Sequence, residues 1–275
     1  MTPVLAHERV AAPGATPRST AWLLHGIFGS RRNWRGFARA LVQHFPDWQL
    51  VLVDLRNHGG SHGTAPPHTV AACAQDLQQL AAAVGAPDAL VGHSFAVKVV
   101  LLHAASAPRL PGALWLLDGP AGAETAVEHS EVARMVTALR ALPPIVPART
   151  VVAHALRDAG FTPALATWMA SNLEPGPDGQ LRWHFALDAV AAMLADYWRV
   201  DAWEVLEAVA SRTRVHVVVG ARSDRFTPVD LERFAALATR GVLTLHTVQA
   251  GHWLHVDDPQ GLLAAMAATF AAAPG

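Results

Sequence analysis

Ala89-Leu90-Val91-Gly92-His93-Ser94-Phe95-Ala96-Val97-Lys98-Val99-Val100 is the stretch on which the reading of this chain turns. A short apolar run ends at Gly92, a serine follows two residues later, and a helix-compatible run from Val97 to Ala105 begins at once. Strand, sharp turn and helix in that order put a hydroxyl at the apex. The spacing is close to G-x-S-x-G, in which a strained turn lifts the serine Oγ clear of a sheet. Small residues are needed on both sides because the helix folds back against the strand. Here the second small residue is Ala96, one methyl larger than glycine.

Working outward, other apolar runs end in polar clusters. Thr20–Leu24 leads into His25-Gly26-Ile27-Phe28-Gly29-Ser30, and Leu50–Val53 into Asp54-Leu55-Arg56-Asn57-His58-Gly59-Gly60-Ser61. Ala113–Leu117 ends at Asp118-Gly119-Pro120, Val215–Val219 at Gly220-Ala221-Arg222-Ser223-Asp224, and Val242–Val248 at Gly251-His252. Val4–Val10 reads as an edge strand. Helical spacing separates the runs, as at Trp34, Phe37, Ala38, Leu41, Val42 and Phe45, over Val70–Val84, and over the closing Leu262–Ala271. Such alternation predicts an α/β fold, a mostly parallel sheet with helices on both faces. Ligands bind beyond the carboxyl ends of such strands, so the polar clusters share one rim.

Between Gly119 and Arg214 the alternation stops. Helical patterns take over at Val127–Leu142, Val151–Ala159, Pro163–Ser171 and Leu187–Trp198, punctuated by Pro143-Pro144 and Pro175-Gly176-Pro177-Asp178-Gly179. The expected organisation is a core of residues 1–119 and 214–275, with 120–213 as an all-helical cap over the rim.

Composition narrows the class. The 275 residues are 52% hydrophobic with a formal charge of −1, as expected of one sizeable soluble core. There is no basic excess to suggest a nucleic-acid partner. No run approaches the roughly 18 apolar residues of a membrane span, and residues 1–18 lack an apolar signal core. Cys73 is the only cysteine, which excludes an internal disulfide and suits a reducing, cytoplasmic compartment. Neither H-E-x-x-H nor a Cys/His cluster occurs, so a metal site is not expected.

A serine hydroxyl is a poor nucleophile at neutral pH and needs a base, an orienting acid and an oxyanion site. His252 is the leading base, since it follows a strand and a glycine late in the chain; His255 is the fallback. His93 flanks the nucleophile, with its side chain expected to point away. The oxyanion donors expected are the backbone N–H of Phe95 and one from the earlier loop, Ile27 first and Phe28 second. Two acids satisfy the order Ser, Asp, His: Asp118 and Asp224. Asp54 and Arg56 read as residues that fix rim loops, and Trp22 and Trp34 as packing residues. Gly59-Gly60 lacks the strand-then-helix setting of a phosphate loop.

From about residue 21 onward these stretches resemble the α/β-hydrolase superfamily. The resemblance rests on His25–Ser30, Asp54–Ser61, Gly92-His93-Ser94 with Lys98, and Gly251-His252-Trp253-Leu254-His255. Within it the chain is similar to the small acyl-esterase branch of the bacterial YbfF-type esterases and the mitochondrial alpha/beta-hydrolase-domain proteins. It departs at Ala96, where glycine is usual, and at Ala186, where that branch has asparagine. The resemblance favours Asp118 as the acid, with Asp224, the commoner superfamily position, as the alternative. It implies a cofactor-free serine esterase that cleaves a small-molecule ester.

The same machinery would serve an acyltransferase, thioesterase, perhydrolase or C–C bond hydrolase, and the fold could also carry a non-catalytic ligand-binding scaffold. Leu187, Val190, Leu194 and Trp198 form one stripe of a helix. Such a stripe packs by default on other cap helices. In the alternative, part of it lines an acyl pocket with Phe28, Trp183 and Phe185, giving a short apolar pocket and a preference for short to medium acyl chains.

Overall fold

The computed structural model describes residues 5–125, 127 and 130–271. Strands β1 (His7–Val10), β2 (Ser19–Leu24), β3 (Trp48–Val53), β4 (Ala89–His93) and β5 (Ala113–Leu117) precede the insertion. Strands β8 (Arg214–Gly220) and β9 (Thr244–Val248) follow it. They form one seven-stranded sheet in the order β1-β3-β2-β4-β5-β8-β9. Only the edge strand β1 runs antiparallel, paired with β3. The remaining pairings are parallel, so β2, β3, β4, β5, β8 and β9 all end on the same rim. The alpha/beta expectation holds. The beginning of the expected Val4–Val10 strand lies outside the described residues.

Period-two alternation sorts the apolar runs into two half-cores. Trp22, Leu24, Val51, Val53, Leu90, Leu114 and Leu116 face one side. There they meet α2 (Val70–Val84), α3 (Ala96–Ser106), α8 (Trp203–Ala210) and α9 (Pro228–Thr239). Leu23, Leu50, Leu52, Val91 and Trp115 face the other, against α1 (Arg35–His44) and α10 (Pro259–Ala271). The starts of these helices are chemically marked. Thr69 accepts the Ala72 N–H ahead of α2, and Thr227 with Asp230 forms a capping box before Pro228 opens α9.

The insertion holds α4 (Glu131–Arg140), α5 (Arg149–Asp158), α6 (Pro163–Ser171) and α7 (Leu187–Arg199). They share a third apolar cluster that includes Met135, Leu156, Met169, Val190 and Leu194. The expected start of α4 at Val127 adjoins residues outside the described set; the helix begins after Ser130, whose side chain accepts the Ala133 N–H. Two features differ from the sequence reading. The insertion is not all helical, because β6 (Leu173–Pro175) and β7 (Leu181–Trp183) pair as a hairpin around the Pro/Gly segment. And α8, inside the 120–213 range, packs with the main half-core through Trp203, Leu206 and Val209. Among the charged contacts that tie the insertion down, Asp196 of α7 accepts the N–H of Val70 at the start of α2, 2.8 Å away, where the helix dipole favours a carboxylate. No helix among the described residues is long and apolar enough to cross a membrane.

Candidate active site

Ser94 stands between β4 and α3 with φ +55, a left-handed conformation that costs on the order of 1–3 kcal/mol for a residue with a Cβ. The surroundings hold it there. Its N–H donates to Leu117 O at 2.8 Å, and its carbonyl accepts from Val97 at 2.9 Å. The close approach falls on Gly92, where a Cβ would lie 2.6 Å from the Ala96 carbonyl oxygen. It is the backbone of Ala96 that crowds the strand, which is why glycine is needed at 92 while alanine is accommodated at 96. Gly119 is tight for the same reason, its Cβ position being 2.6 Å from Ser94 O.

His252 Nδ1 lies 2.8 Å from Asp118 Oδ2. A carboxylate only accepts, so the imidazole donates from Nδ1 and the lone pair of the neutral ring falls on Nε2. Asp118 is fully buried, with φ +46 at the end of β5. Its Oδ1 accepts the Gly220 N–H at 2.8 Å, and Oδ2 also accepts the Ser223 hydroxyl at 2.6 Å. Asp224 is elsewhere: its side chain is 77% exposed and paired with Arg225. Of the two aspartates the sequence left open, the structure brings Asp118 to His252 and leaves Asp224 outside. His255, the fallback base, stacks on Trp34 with ring centroids 4.0 Å apart.

His93 does not point away. Its Nε2 lies 2.9 Å from the His252 carbonyl oxygen and its ring centroid 4.7 Å from that of His252. Burial, followed by the neighbouring His252 and His255, holds its pKa well below the ordinary histidine value. The neutral ring donates Nε2–H to His252.

The loop after β2 is fixed from both sides. His25 donates Nδ1–H to Gly26 O at 2.7 Å and accepts the Leu55 N–H on Nε2 at 3.1 Å; burial lowers its pKa to about 3. From the insertion, Asn172 Nδ2 donates to Phe28 O and His184 Nε2 faces Gly29 O, each at 3.1 Å. Gly29 N–H closes a turn onto Gly26 O, with Phe28 at φ +60. This turn and the start of α3 carry Ile27 and Phe95, which line the same cavity as Ser94.

Ser94, Asp118, His252, Ile27, Phe28 and Phe95 all line one cavity of about 480 Å³. Its walls are largely apolar, with Met169, Leu194, Tyr197, Trp198, Trp168 and Trp253 among them. Trp183 and Phe185 are not. The segment 184–186 pairs along the β3 loop, Gly59 N–H donating to His184 O and Ala186 N–H to Asn57 O. That pairing sends Phe185 behind Phe28, ring centroids 5.3 Å apart, with Trp183 stacked on Phe185. Asp54 and Arg56 also stay out. Asp54 accepts the backbone N–H groups of Arg31 and Gly60 and pairs with the Arg31 guanidinium, while Arg56 forms a fork on Asp76 at 2.6 and 2.7 Å.

Residues 23–265 match the alpha/beta hydrolase family. The chain belongs to that family. This hydrolase is 30% identical over 252 residues to the mouse sn-1-specific diacylglycerol lipase ABHD11, covering 88% of this chain and 78% of the relative. It is 31% identical over 187 residues to the lipase LipV of Mycobacterium tuberculosis, covering 66% and 67%. A marine microorganism esterase superposes with a TM-score of 0.81 at 22% identity, over 96% of this chain and 98% of that one. That last likeness is one of fold.

Proposed function

We propose that this hydrolase cleaves carboxylic esters of short to medium acyl chains through an acyl-enzyme. The observation that carries the reading is the His252 Nδ1–Asp118 Oδ2 hydrogen bond of 2.8 Å, in a cavity that also exposes Ser94 on its strained turn. His252 Nε2 takes the Ser94 proton as Oγ attacks the acyl carbon, and Asp118 stabilises the imidazolium that forms. The N–H groups of Ile27 and Phe95 hold the negative oxygen of the tetrahedral intermediate, Phe95 with the favourable end of the α3 dipole behind it. The alcohol departs with the proton from His252. Water then attacks the acyl-enzyme, gives its proton to Nε2 and releases the acid, with the proton returned to Ser94. The activities of the relatives, a diacylglycerol lipase and a lipase, support ester cleavage as the reaction.

The largely apolar cavity supports the chain-length preference. Each methylene buried against its apolar wall adds about 0.8 kcal/mol until the wall is reached. A p-nitrophenyl ester series from acetate to palmitate tests this, together with fluorophosphonate labelling. Wild type should label at Ser94, with kcat/KM rising over the first carbons and then falling. Ser94→Ala and His252→Ala should each lose on the order of 10^4-fold in turnover, because the groups act as a unit. Near-wild-type rates in either variant would refute the assignment, and a maximum at palmitate would refute the acyl preference.

A further inference from the structure

The chain has 21 Lys and Arg residues together, and only one of them is lysine, Lys98. It is fully buried. It sits on α3 four residues after Ser94, and its ammonium joins two other segments. Nζ donates to Gly122 O at 2.7 Å and to Tyr197 O at 2.8 Å, and lies 3.9 Å from the Tyr197 ring centroid. Gly122 follows Asp118 by four residues on the chain leaving β5. Tyr197 is in the last turn of α7, and its ring lines the catalytic cavity 5.3 Å from that of Phe95. The neighbouring wall residue, Trp198, accepts the Glu124 N–H at 2.8 Å. The nucleophile helix, the chain after the acid and the cavity wall therefore meet at one ammonium.

A compact tetrahedral ammonium suits two carbonyls and a ring face better than the planar, bulkier guanidinium of the chain's arginines. The charge is costly there. Burial pulls the pKa down to about 8 against the opposing pull of Glu124, Asp201 and Asp230. A methionine of similar length would avoid that cost but would leave Gly122 O without its donor and Tyr197 O with only the Val200 N–H, 3.3 Å away.

We propose that Lys98 is a positioning residue that sets the acyl-chain selectivity of the cavity by holding the Tyr197–Trp198 wall at a fixed distance from Ser94. The proposal rests on the ester-hydrolase reading above. Without the ammonium the wall is free to shift, the penalty for an overlong chain weakens, and the chemistry of a chain too short to reach the wall is unchanged.

Lys98→Met and Lys98→Arg, assayed on p-nitrophenyl esters per Ser94 site titrated with fluorophosphonate, test it. In Lys98→Met the ratio of kcat/KM between the best ester and the one two carbons longer should collapse by about 10-fold, the scale on which a pocket discriminates methylenes, while per-site kcat on acetate stays within about 3-fold of wild type. Lys98→Arg should retain part of the ratio. A loss uniform across the series, or an unchanged ratio, overturns the proposal. Should Lys98→Met fail to fold, wild type labelled with 15N-lysine supplies the readout, since one side-chain ammonium signal is present. That signal should differ between the ethyl and octyl phosphonate adducts of Ser94; identical signals overturn the proposal. A wild type that neither labels at Ser94 nor turns over any ester removes the hydrolase reading and the proposal with it, whereas an active wild type with a profile indifferent to Lys98 removes the proposal alone.

Discussion

An imidazole is held only as firmly as the carboxylate behind it, and Asp118 is itself held by Gly220 N–H, the Ser223 hydroxyl and complete burial. Asp118→Asn keeps the shape but offers His252 Nδ1 an amide, which favours the wrong tautomer. The expected loss in kcat is on the order of 10^4-fold, with little change in Asp224→Asn; a severe loss confined to Asp224→Asn would reverse the assignment. His93 acts one step further back, on the main chain of His252. His93→Leu removes the donor to the His252 carbonyl and should lower kcat by about 10- to 100-fold through misplacement of the base, leaving KM for the same ester within a small factor. His93→Gln should recover part of that loss; no recovery, or a fall shared equally by thermal stability, would assign His93 to packing alone. The sequence could point to Ser94 and His252 because each has a local signature of strand, glycine and turn. It could not point to Ser223 or to the inward turn of His93, because their partners lie 105 and 159 residues away along the chain.

The crossing of β4 and α3 is the element on which the site stands. Gly92→Ala places a Cβ 2.6 Å from Ala96 O and 2.9 Å from Val100 Cγ1, and overpacking of this kind costs about 1–3 kcal/mol. Gly36, inside α1, has open space around its Cβ position, so Gly36→Ala should stabilise by about 0.5–1 kcal/mol. Urea unfolding of the two variants should move in opposite directions, and the Gly92 variant should also label more slowly at Ser94. Equal midpoints for both would show that the crossing is not tight. Strands of this kind were legible because their period-two burial and polar endings are written locally. The β6–β7 hairpin was not: strands of three residues beside Pro175 and Pro177 carry no usable alternation. Nor was the placement of Phe185, which follows from long-range pairing of residues 184–186 with the loop after β3. The stripe on α7 is legible in its spacing; Val190 and Leu194 lie in the insertion's core, and Leu194 and Trp198 line the cavity, without Trp183 and Phe185.

Across the whole molecule, burial keeps many of the 15 histidines neutral. It lowers His25 to about 3, His216 and His255 to about 4, and His58 and His93 well below 6.5, with smaller reductions at His103 and His246. Below the unfolded value of 6.5 the unfolded chain therefore takes up protons that the native chain refuses, and stability falls as pH drops from about 6.5 toward 4. Glu124, raised by burial, acts in the opposite sense but is a single group. The melting temperature should decline steadily over this range; a flat profile between pH 7 and 5 would contradict the burial assignments. On the alkaline side Lys98 loses its proton near 8 in the native state but not until about 10.5 when unfolded, so stability should rise between pH 8 and 9. Above 9 the exposed Cys73 thiol of the unfolded chain ionises while the buried one keeps its proton, which offsets the further gain until the unfolded lysine itself deprotonates near 10.5. The same solitary lysine has a practical consequence. With arginine at every other Lys or Arg position, the folded protein offers solvent no side-chain amine. Activated esters and the aldehydes of an immobilising support will find no lysine to couple to, and the appearance of one acylated lysine in a treated sample would register the opening of the core.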